Sequence, residues 1–81
     1  MERTDNSDFS FEIVTKIGVI GSGRSDGWSK ELNIVSYNGR DGRVDIRDWS
    51  PDHERMSKGL TFTDSEARTL CKLLASAGYS E

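Results

Sequence analysis

The sequence predicts an α+β fold in which a four-stranded antiparallel β-sheet precedes one C-terminal α-helix, in the order β-β-β-β-α. Four segments alternate apolar and polar residues with the period of a strand, turn signals separate them, and one capped amphipathic segment ends the chain. The 81 residues make one small domain, and an apolar content of 33% predicts a thin core. We therefore expect a homodimer that completes this core.

The first element is a strand that follows a polar start. Residues 1–8 are predicted to form a disordered tail, and residues 9–81 the folded domain. The apolar residues Phe9, Phe11, Ile13, Ile17 and Val19 follow a period of two, which predicts the first strand. Val14 and Ile20 break this alternation, so the pattern defines the end of the strand poorly.

A glycine-rich loop separates the first two strands. Residues 21–27, GSGRSDG, contain three glycines and an aspartate, which favours a flexible connection. A loop of this kind cradles phosphate when a helix follows it, but residues 28–37 read as a second strand. A nucleotide-binding loop is therefore disfavoured.

The second strand has an ambiguous phase. Leu32 and Ile34 fall on one face, whereas Val35 and Tyr37 fall on the other. Either both faces are covered in part, or a bulge near residues 32–34 shifts the register. The sequence leaves both alternatives open.

Turn residues place the next two strands. Residues 38–42, NGRDG, contain Asn-Gly and Asp-Gly signals for a hairpin, so a third strand over residues 43–50 pairs antiparallel with the second. Pro51 ends that strand because it lacks a backbone donor. After a polar loop, Leu60 and Phe62 alternate with threonines, which predicts a fourth strand.

A capping box, TDSE at residues 63–66, predicts a helix from Asp64 to Ala77 with Gly78 at its C-terminal cap. Leu73 widens the apolar arc of this helix to roughly 160° at 100° per residue. One sheet face does not require so wide an arc, so the helix is predicted to meet the same helix of a second chain. The predicted dimer-contact residues are Leu70, Leu73, Leu74 and Ala77.

Composition argues against catalysis, cofactors and metals. Cys71 and His53 are the only cysteine and the only histidine, so we expect no disulfide, no metal site and no enzyme. Cys71 is interpreted as a small buried helix residue and His53 as a solvated loop residue. The start of the chain lacks a signal-peptide pattern and no apolar run reaches transmembrane length, which favours a cytoplasmic protein without a membrane partner.

The stretch VDIRDWS of the third strand carries the strongest functional signal. If Val44 and Ile46 face the core, Arg47 and Trp49 share the opposite, open face with Asp45. Aromatic rings that stack on bases, beside cations that contact phosphates, are typical of single-stranded nucleic-acid binding. The net charge of −3 weighs against this hypothesis.

Two interpretations without a ligand stay open. A tryptophan can instead close an edge of the core with its indole N–H hydrogen-bonded. Arg47 can form an exposed cross-strand pair with a carboxylate such as Asp45. Trp28 and Lys30 repeat the aromatic-plus-basic pattern on the second strand, and Lys58 precedes a glycine, Gly59, that permits close approach of a backbone.

The run GRVDIRDWSPDHERMSKGLTFT, followed by a single capped helix, resembles the positive cofactor four family of transcriptional coactivators, and its short bacterial branch in particular. The similarity spans about residues 11–74. It implies a homodimer that binds single-stranded DNA across curved β-sheets, with the helices at the dimer contact. By position it implies that Arg47 contacts DNA, with Trp49 as the neighbouring aromatic and Lys58 as the lysine before the last strand.

The expected function is single-stranded DNA binding with little sequence preference, in support of transcription regulation, replication or repair. RNA polymerase or repair proteins are expected as further partners. Alternatives are RNA binding on the same face, or a dimeric protein-interaction module without nucleic-acid affinity. The candidate nucleic-acid-binding residues are Trp28, Lys30, Asn33, Asn38, Arg43, Arg47, Trp49 and Lys58. The eukaryotic relatives carry a Ser- and Lys-rich regulatory tail, whereas the tail of this chain is short and acidic, which argues against a coactivator role through that tail.

Overall fold

The computed structural model describes residues 10–80. It confirms the predicted fold class, with one antiparallel sheet of strand order β1-β2-β3-β4 followed by one helix. The elements are β1 (Phe11–Gly21), β2 (Ser29–Tyr37), β3 (Arg43–Trp49), β4 (Leu60–Phe62) and α1 (Asp64–Ser76). The tail predicted for residues 1–8, and Phe9 after it, lie outside the described residues.

The hairpin between β2 and β3 turns at Asn38 and Gly39. Their φ angles are 55° and 75°, and the Arg40 N–H donates to the Tyr37 carbonyl at 3.1 Å. Positive φ at both central residues defines a type I′ turn, for which Asn-Gly is the preferred pair. The Asn38 side chain also accepts from the Ser10 N–H at 2.8 Å. The predicted hairpin is therefore confirmed, and Asn38 ties the start of β1 to the turn.

Bulges in β1 explain why its apolar residues do not alternate regularly in the sequence. Its pairing with β2 shifts between Ile13 and Thr15 and at two further positions, and each shift inserts one extra residue into β1. The inserted residues are Val14, Ile17 and Ile20. β2 itself pairs with β3 without interruption from Ser29 to Val35. Both alternatives for β2 are therefore met in part: the register with β1 shifts opposite residues 32–34, with the extra residues in β1, and both faces of β2 are covered in part.

Cross-strand register sorts β2 and β3 into two faces. The polar face comprises Glu31, Asn33, Val35 and Tyr37 of β2 with Arg43, Asp45, Arg47 and Trp49 of β3. The apolar face comprises Leu32 and Ile34 of β2, Val44 and Ile46 of β3, and Leu60 and Phe62 of β4. Phe62 and Leu70 line one groove, which places α1 on the apolar side. Val44 and Ile46 therefore face the helix side, as predicted.

Residues 50–57, the cover hairpin, extend β3 and fold over the polar face. The Ser50 N–H donates to the Arg55 carbonyl and the Ser57 N–H to the Asp48 carbonyl, both at 2.9 Å, and Trp49 bridges to Met56. As a result Trp49 is 0% exposed. The prediction that Trp49 faces water is wrong, because alternation fixes the side of a sheet on which a residue lies but not what packs over that side.

Gly59 lies where the chain leaves the cover hairpin and crosses β3. A Cβ at Gly59 would collide with the Ile46 carbonyl oxygen and with the Cβ of Arg47. The close backbone approach predicted at this glycine is therefore that of β3 in the same chain. Only a residue without a side chain fits here.

Both ends of α1 are capped as the sequence indicates. The Glu66 N–H donates to Thr63 Oγ1 at 3.1 Å, and the Thr63 N–H donates to Glu66 Oε1 at 2.9 Å. At the other end Ala77 is the cap and Gly78 has φ 94°, and the Tyr79 N–H donates to the Leu74 carbonyl at 2.9 Å. This is a Schellman motif, and it ends the helix one residue earlier than predicted.

The helix packs lightly on its own chain. No residue of α1 is buried, and Leu73 and Leu74 are 63% and 46% exposed. In the described range only Val35 and Trp49 are buried apolar residues, so the core is as thin as predicted. The interpretation of Cys71 as buried is wrong, because its side of the helix lies open. With 13 residues and several charges, α1 is too short and too polar to span a bilayer.

Replacing Gly59 by alanine tests the close crossing of β3. We expect Gly59→Ala to lower the free energy of unfolding by about 2 kcal/mol, the scale of overpacking in a rigid site. Gly18→Ala is the matched control, because a Cβ at Gly18 meets nothing within 4 Å. Urea unfolding at equal protein concentration measures both. Equal losses in the two variants would contradict this account of Gly59.

Candidate nucleic-acid interface

A buried ion pair lies at the centre of the polar face. Asp45 is 0% exposed, and its carboxylate accepts from Arg47 Nε at 2.8 Å and from Arg47 Nη2 at 2.7 Å. The Tyr37 hydroxyl donates to the same carboxylate at 3.1 Å, and the Arg47 guanidinium lies 5.1 Å from the centre of the Tyr37 ring. The Arg47–Asp45 pair considered from the sequence therefore exists, but it is buried and lies along one strand.

Arg47 also fastens the cover hairpin to the sheet. Its Nη1 donates to the Ser57 carbonyl at 3.2 Å and lies 3.4 Å from the Met56 sulfur. A guanidinium has five N–H donors, and these contacts together with Asp45 occupy four of them. The Arg47 side chain is only 13% exposed. In this conformation Arg47 holds the face together, and its contact with DNA stays a prediction.

A second polar cluster joins the cover hairpin to β2. His53 Nε2 lies 2.8 Å from Glu31 Oε2, and Glu31 accepts from Ser29 Oγ at 2.7 Å and from Asn33 Nδ2 at 3.2 Å. The His53 ring stacks on Trp49 with 5.7 Å between centroids. The interpretation of His53 as a solvated loop residue is wrong, because the cover hairpin brings it back onto the sheet.

Burial and neighbouring groups shift two pKa values on this face. Burial works against ionisation of Glu31, but the hydrogen bonds from Ser29, Asn33 and His53 together outweigh it and hold the pKa of the carboxyl below its ordinary value. Burial, assisted by the negative charge of Asp45, raises the pKa of Tyr37 to about 12. Glu31 is thus a stable anion and Tyr37 a stable neutral donor near neutral pH.

Trp49 belongs to the core. Phe11 packs on its ring with 5.3 Å between centroids, and His53 stacks on it as described above. The indole N–H is buried and has no acceptor among residues 10–80. The prediction that a tryptophan closes an edge of the core is therefore confirmed. The prediction that its indole N–H is hydrogen-bonded is wrong within the described residues.

The residues predicted on β2 and in the turn do not gather around Arg47. Lys30 lies on the other side of the sheet and pairs with Asp48 at 3.5 Å. Trp28 precedes β2 and is half-buried, with the Arg55 guanidinium 6.0 Å from its ring. Asn33 is 1% exposed and bonded to Glu31, and Asn38 is used in the turn.

Four exposed cations lie on the polar face or beside it. Arg43 begins β3 on this face, and Lys16 reaches the same face through its pairing with Asn33. Arg40 belongs to the turn, and Lys58 follows the cover hairpin. Within residues 10–80 none of the four forms an ion pair. The sequence analysis missed Lys16, because the bulges of β1 hide its face, and Arg40, because turn signals explained its segment.

Two of these cations, Arg40 and Arg43, line a recess at the turn end of the polar face, beyond the cover hairpin. Its volume is about 450 Å³, within the range of roughly 300–1,000 Å³ that is usual for small-ligand sites. The lining residues are Val35, Tyr37, Arg40, Asp41, Arg43 and Thr61. The recess thus combines an aromatic wall with two guanidinium groups.

Titration of Tyr37 tests the polar network. The fold raises the pKa of Tyr37 from the ordinary 10 to about 12, so it favours the neutral phenol. The stability contributed by this preference is therefore complete below pH 10 and is lost as pH rises from 10 through about 12. In a Tyr79→Phe variant, Tyr37 is the only tyrosine left of two, and phenolate absorbance should report a pKa of about 12. Circular dichroism must show that the protein stays folded over this range. Ionisation near 10 in the folded protein would contradict the buried hydrogen bond to Asp45.

Comparison with known proteins places this chain in a family. The family model described as transcriptional coactivator p15 (PC4) matches residues 24–73, which hold β2, β3, β4, the cover hairpin and most of α1. An uncharacterized protein of Treponema pallidum (strain Nichols) is 44% identical over 71 residues, which cover 88% of this chain and 82% of that protein. The family is one of single-stranded-DNA-binding coactivator domains. The chain therefore belongs to the transcriptional coactivator p15 (PC4) family and carries its DNA-binding domain.

Proposed function

We propose that this protein binds single-stranded DNA with little sequence preference through the open, turn end of the polar face, and that it does so as a homodimer. One observation supports this location above others. Arg24, Lys30 and Arg47 are engaged by carboxylates, whereas Arg40 and Arg43 at the recess form no ion pair with any described residue. The same holds for Lys16, farther along the polar face, and for Lys58, next to the cover hairpin. Unpaired cations are the groups that neutralise phosphates and release counterions.

Aromatic contacts complete the proposed interface. Tyr37 lines the recess together with the two turn-end arginines, and Trp28 is half-buried before β2. Base stacking on such rings is tolerant of sequence, because every base has a π-face. Stacking on Trp49 would require the cover hairpin to leave the sheet. We therefore assign Trp49 and Arg47 to the rigid support of the interface rather than to its surface.

The apolar side of the molecule supports the homodimer. Val14, Ile17 and Ile20 of β1 are 54%, 50% and 55% exposed, and Leu60 of β4 is 64% exposed. Leu73 and Leu74 of α1 are exposed as well, and a contiguous group of exposed apolar residues marks an interaction surface. A second copy would bury these residues with α1 at the contact, as the sequence predicted for Leu70, Leu73, Leu74 and Ala77.

We also propose a cellular role that is compatible with this binding mode. We place the protein on exposed single strands in the cytoplasm, during transcription, replication or repair, where RNA polymerase or repair proteins are candidate partners. RNA binding uses the same stacking physics, and competition between matched DNA and RNA strands separates the two. A protein-interaction module would show no salt-dependent affinity for either strand. We propose no catalytic activity.

Arginine substitutions test the location of the interface. We expect Arg43→Ala and Arg40→Ala each to weaken binding to oligothymidine several-fold, because each removes one phosphate contact, and to reduce the salt slope by about 0.7. Lys30→Ala is the matched control, because Lys30 pairs with Asp48 on the other side of the sheet. Fluorescence anisotropy at several salt concentrations measures all three. An equal loss in Lys30→Ala would place the interface elsewhere.

A charge at the exposed apolar edge of α1 tests the dimer. We expect Leu73→Glu to convert a dimer into a monomer in sedimentation at micromolar concentration, because a buried unpaired carboxylate at an interface is costly. Arg68→Glu changes an exposed residue about 140° around the helix and should leave the dimer intact. A wild-type protein that already sediments as a monomer would refute the homodimer.

A further inference from the structure

We propose that the recess at the turn end prefers guanine, and that the Asp41 carboxylate recognises its Watson–Crick edge. This inference rests on the proposed function and adds one base preference to a site that otherwise tolerates any sequence. The recess holds one carboxylate, from Asp41, among two guanidinium groups and the ring of Tyr37. It therefore contains a base-reading acceptor beside phosphate-binding donors.

Asp41 differs from the neighbouring aspartates because its carboxylate has no partner among the described residues. Five aspartates lie between residues 26 and 52. Asp26 and Asp48 form ion pairs with Arg24, Asp45 pairs with Arg47, and Asp52 accepts from Ser50 and from the Glu54 N–H. Among the described residues, Asp41 has neither a hydrogen bond nor an ion pair, although Arg40 and Arg43 border the same recess. Both of its oxygens are therefore available to a ligand.

The geometry of the turn does not account for Asp41. The residues of the connection that adopt positive φ are Asn38 and Gly39, and they close the turn by themselves. Asp41 has an ordinary φ and caps no backbone group in the described chain. An acidic residue at this position repels the DNA backbone unless it makes a specific contact with the strand. Arg40 and Arg43, which line the same recess, offset the charge of Asp41.

The chemistry of the bases gives the preference. Guanine presents two adjacent donors, N1–H and the N2 amino group, to the two oxygens of one carboxylate, which is a bidentate charge-assisted pair. Cytosine and adenine present one amino group beside a ring acceptor. Thymine presents one N–H between two carbonyl oxygens, which a carboxylate repels. Single-stranded bases expose this edge, so a protein can read it directly.

The test uses oligothymidine of about a dozen nucleotides, alone and with one central guanine or one central inosine, which lacks the N2 amino group. A single guanine per strand cannot fold back on itself, and the strand can slide until the guanine occupies the recess. We expect the guanine strand to bind about fivefold more tightly than oligothymidine, the lower end of the discrimination of a bidentate pair. The inosine strand should lose most of that advantage.

Asp41→Asn separates base recognition from general charge. Removal of a negative charge tightens binding to every strand, so the readout is the ratio of guanine-strand to oligothymidine affinity, which should fall towards one. Glu12→Gln removes an exposed charge on β1 and should leave the ratio unchanged. Equal binding of all three strands by the wild type, or an unchanged ratio in Asp41→Asn, would overturn the inference and leave the proposed function standing. Failure to bind any strand would overturn the proposed function itself.

Discussion

The buried ion pair between Arg47 and Asp45 is the constraint on which the polar face depends. A carboxylate that is fully enclosed by the protein is tolerated only when its charge and its lone pairs are matched. Arg47 and the Tyr37 hydroxyl supply this match, and the same guanidinium reaches the Ser57 carbonyl of the cover hairpin. Gly59 then lets the chain pass directly over Arg47 towards β4. Loss of either partner would leave an unmatched charge within the polar face.

Local signals in the sequence predicted the fold well. Thr63 with Glu66, and Asn38 with Gly39, each specify one backbone geometry through contacts between neighbours in the chain. The helix end was displaced by one residue only. These features depend on short sequence separations, and for that reason no tertiary information was needed.

The candidate site was harder to predict because it depends on contacts between distant residues. Alternation correctly placed Arg47 and Trp49 on one face, but the residues that enclose them belong to a polar segment that reads as a loop. The pairing of His53 with Glu31 spans 22 positions and leaves no local signal. Lys16 was missed for a related reason, because the face of a residue beyond a bulge is known only once the pairing is known.

The three bulges of β1 have a consequence beyond the face on which its residues lie. β1 is an edge of the sheet and the longest strand, with 11 residues and several exposed aliphatic side chains. A long, flat, apolar edge is a template for adding further strands from other molecules. An inserted residue about every third position interrupts the row of backbone donors and acceptors and increases the twist. The same insertions that obscure the pattern in the sequence therefore protect the chain against aggregation through its free edge.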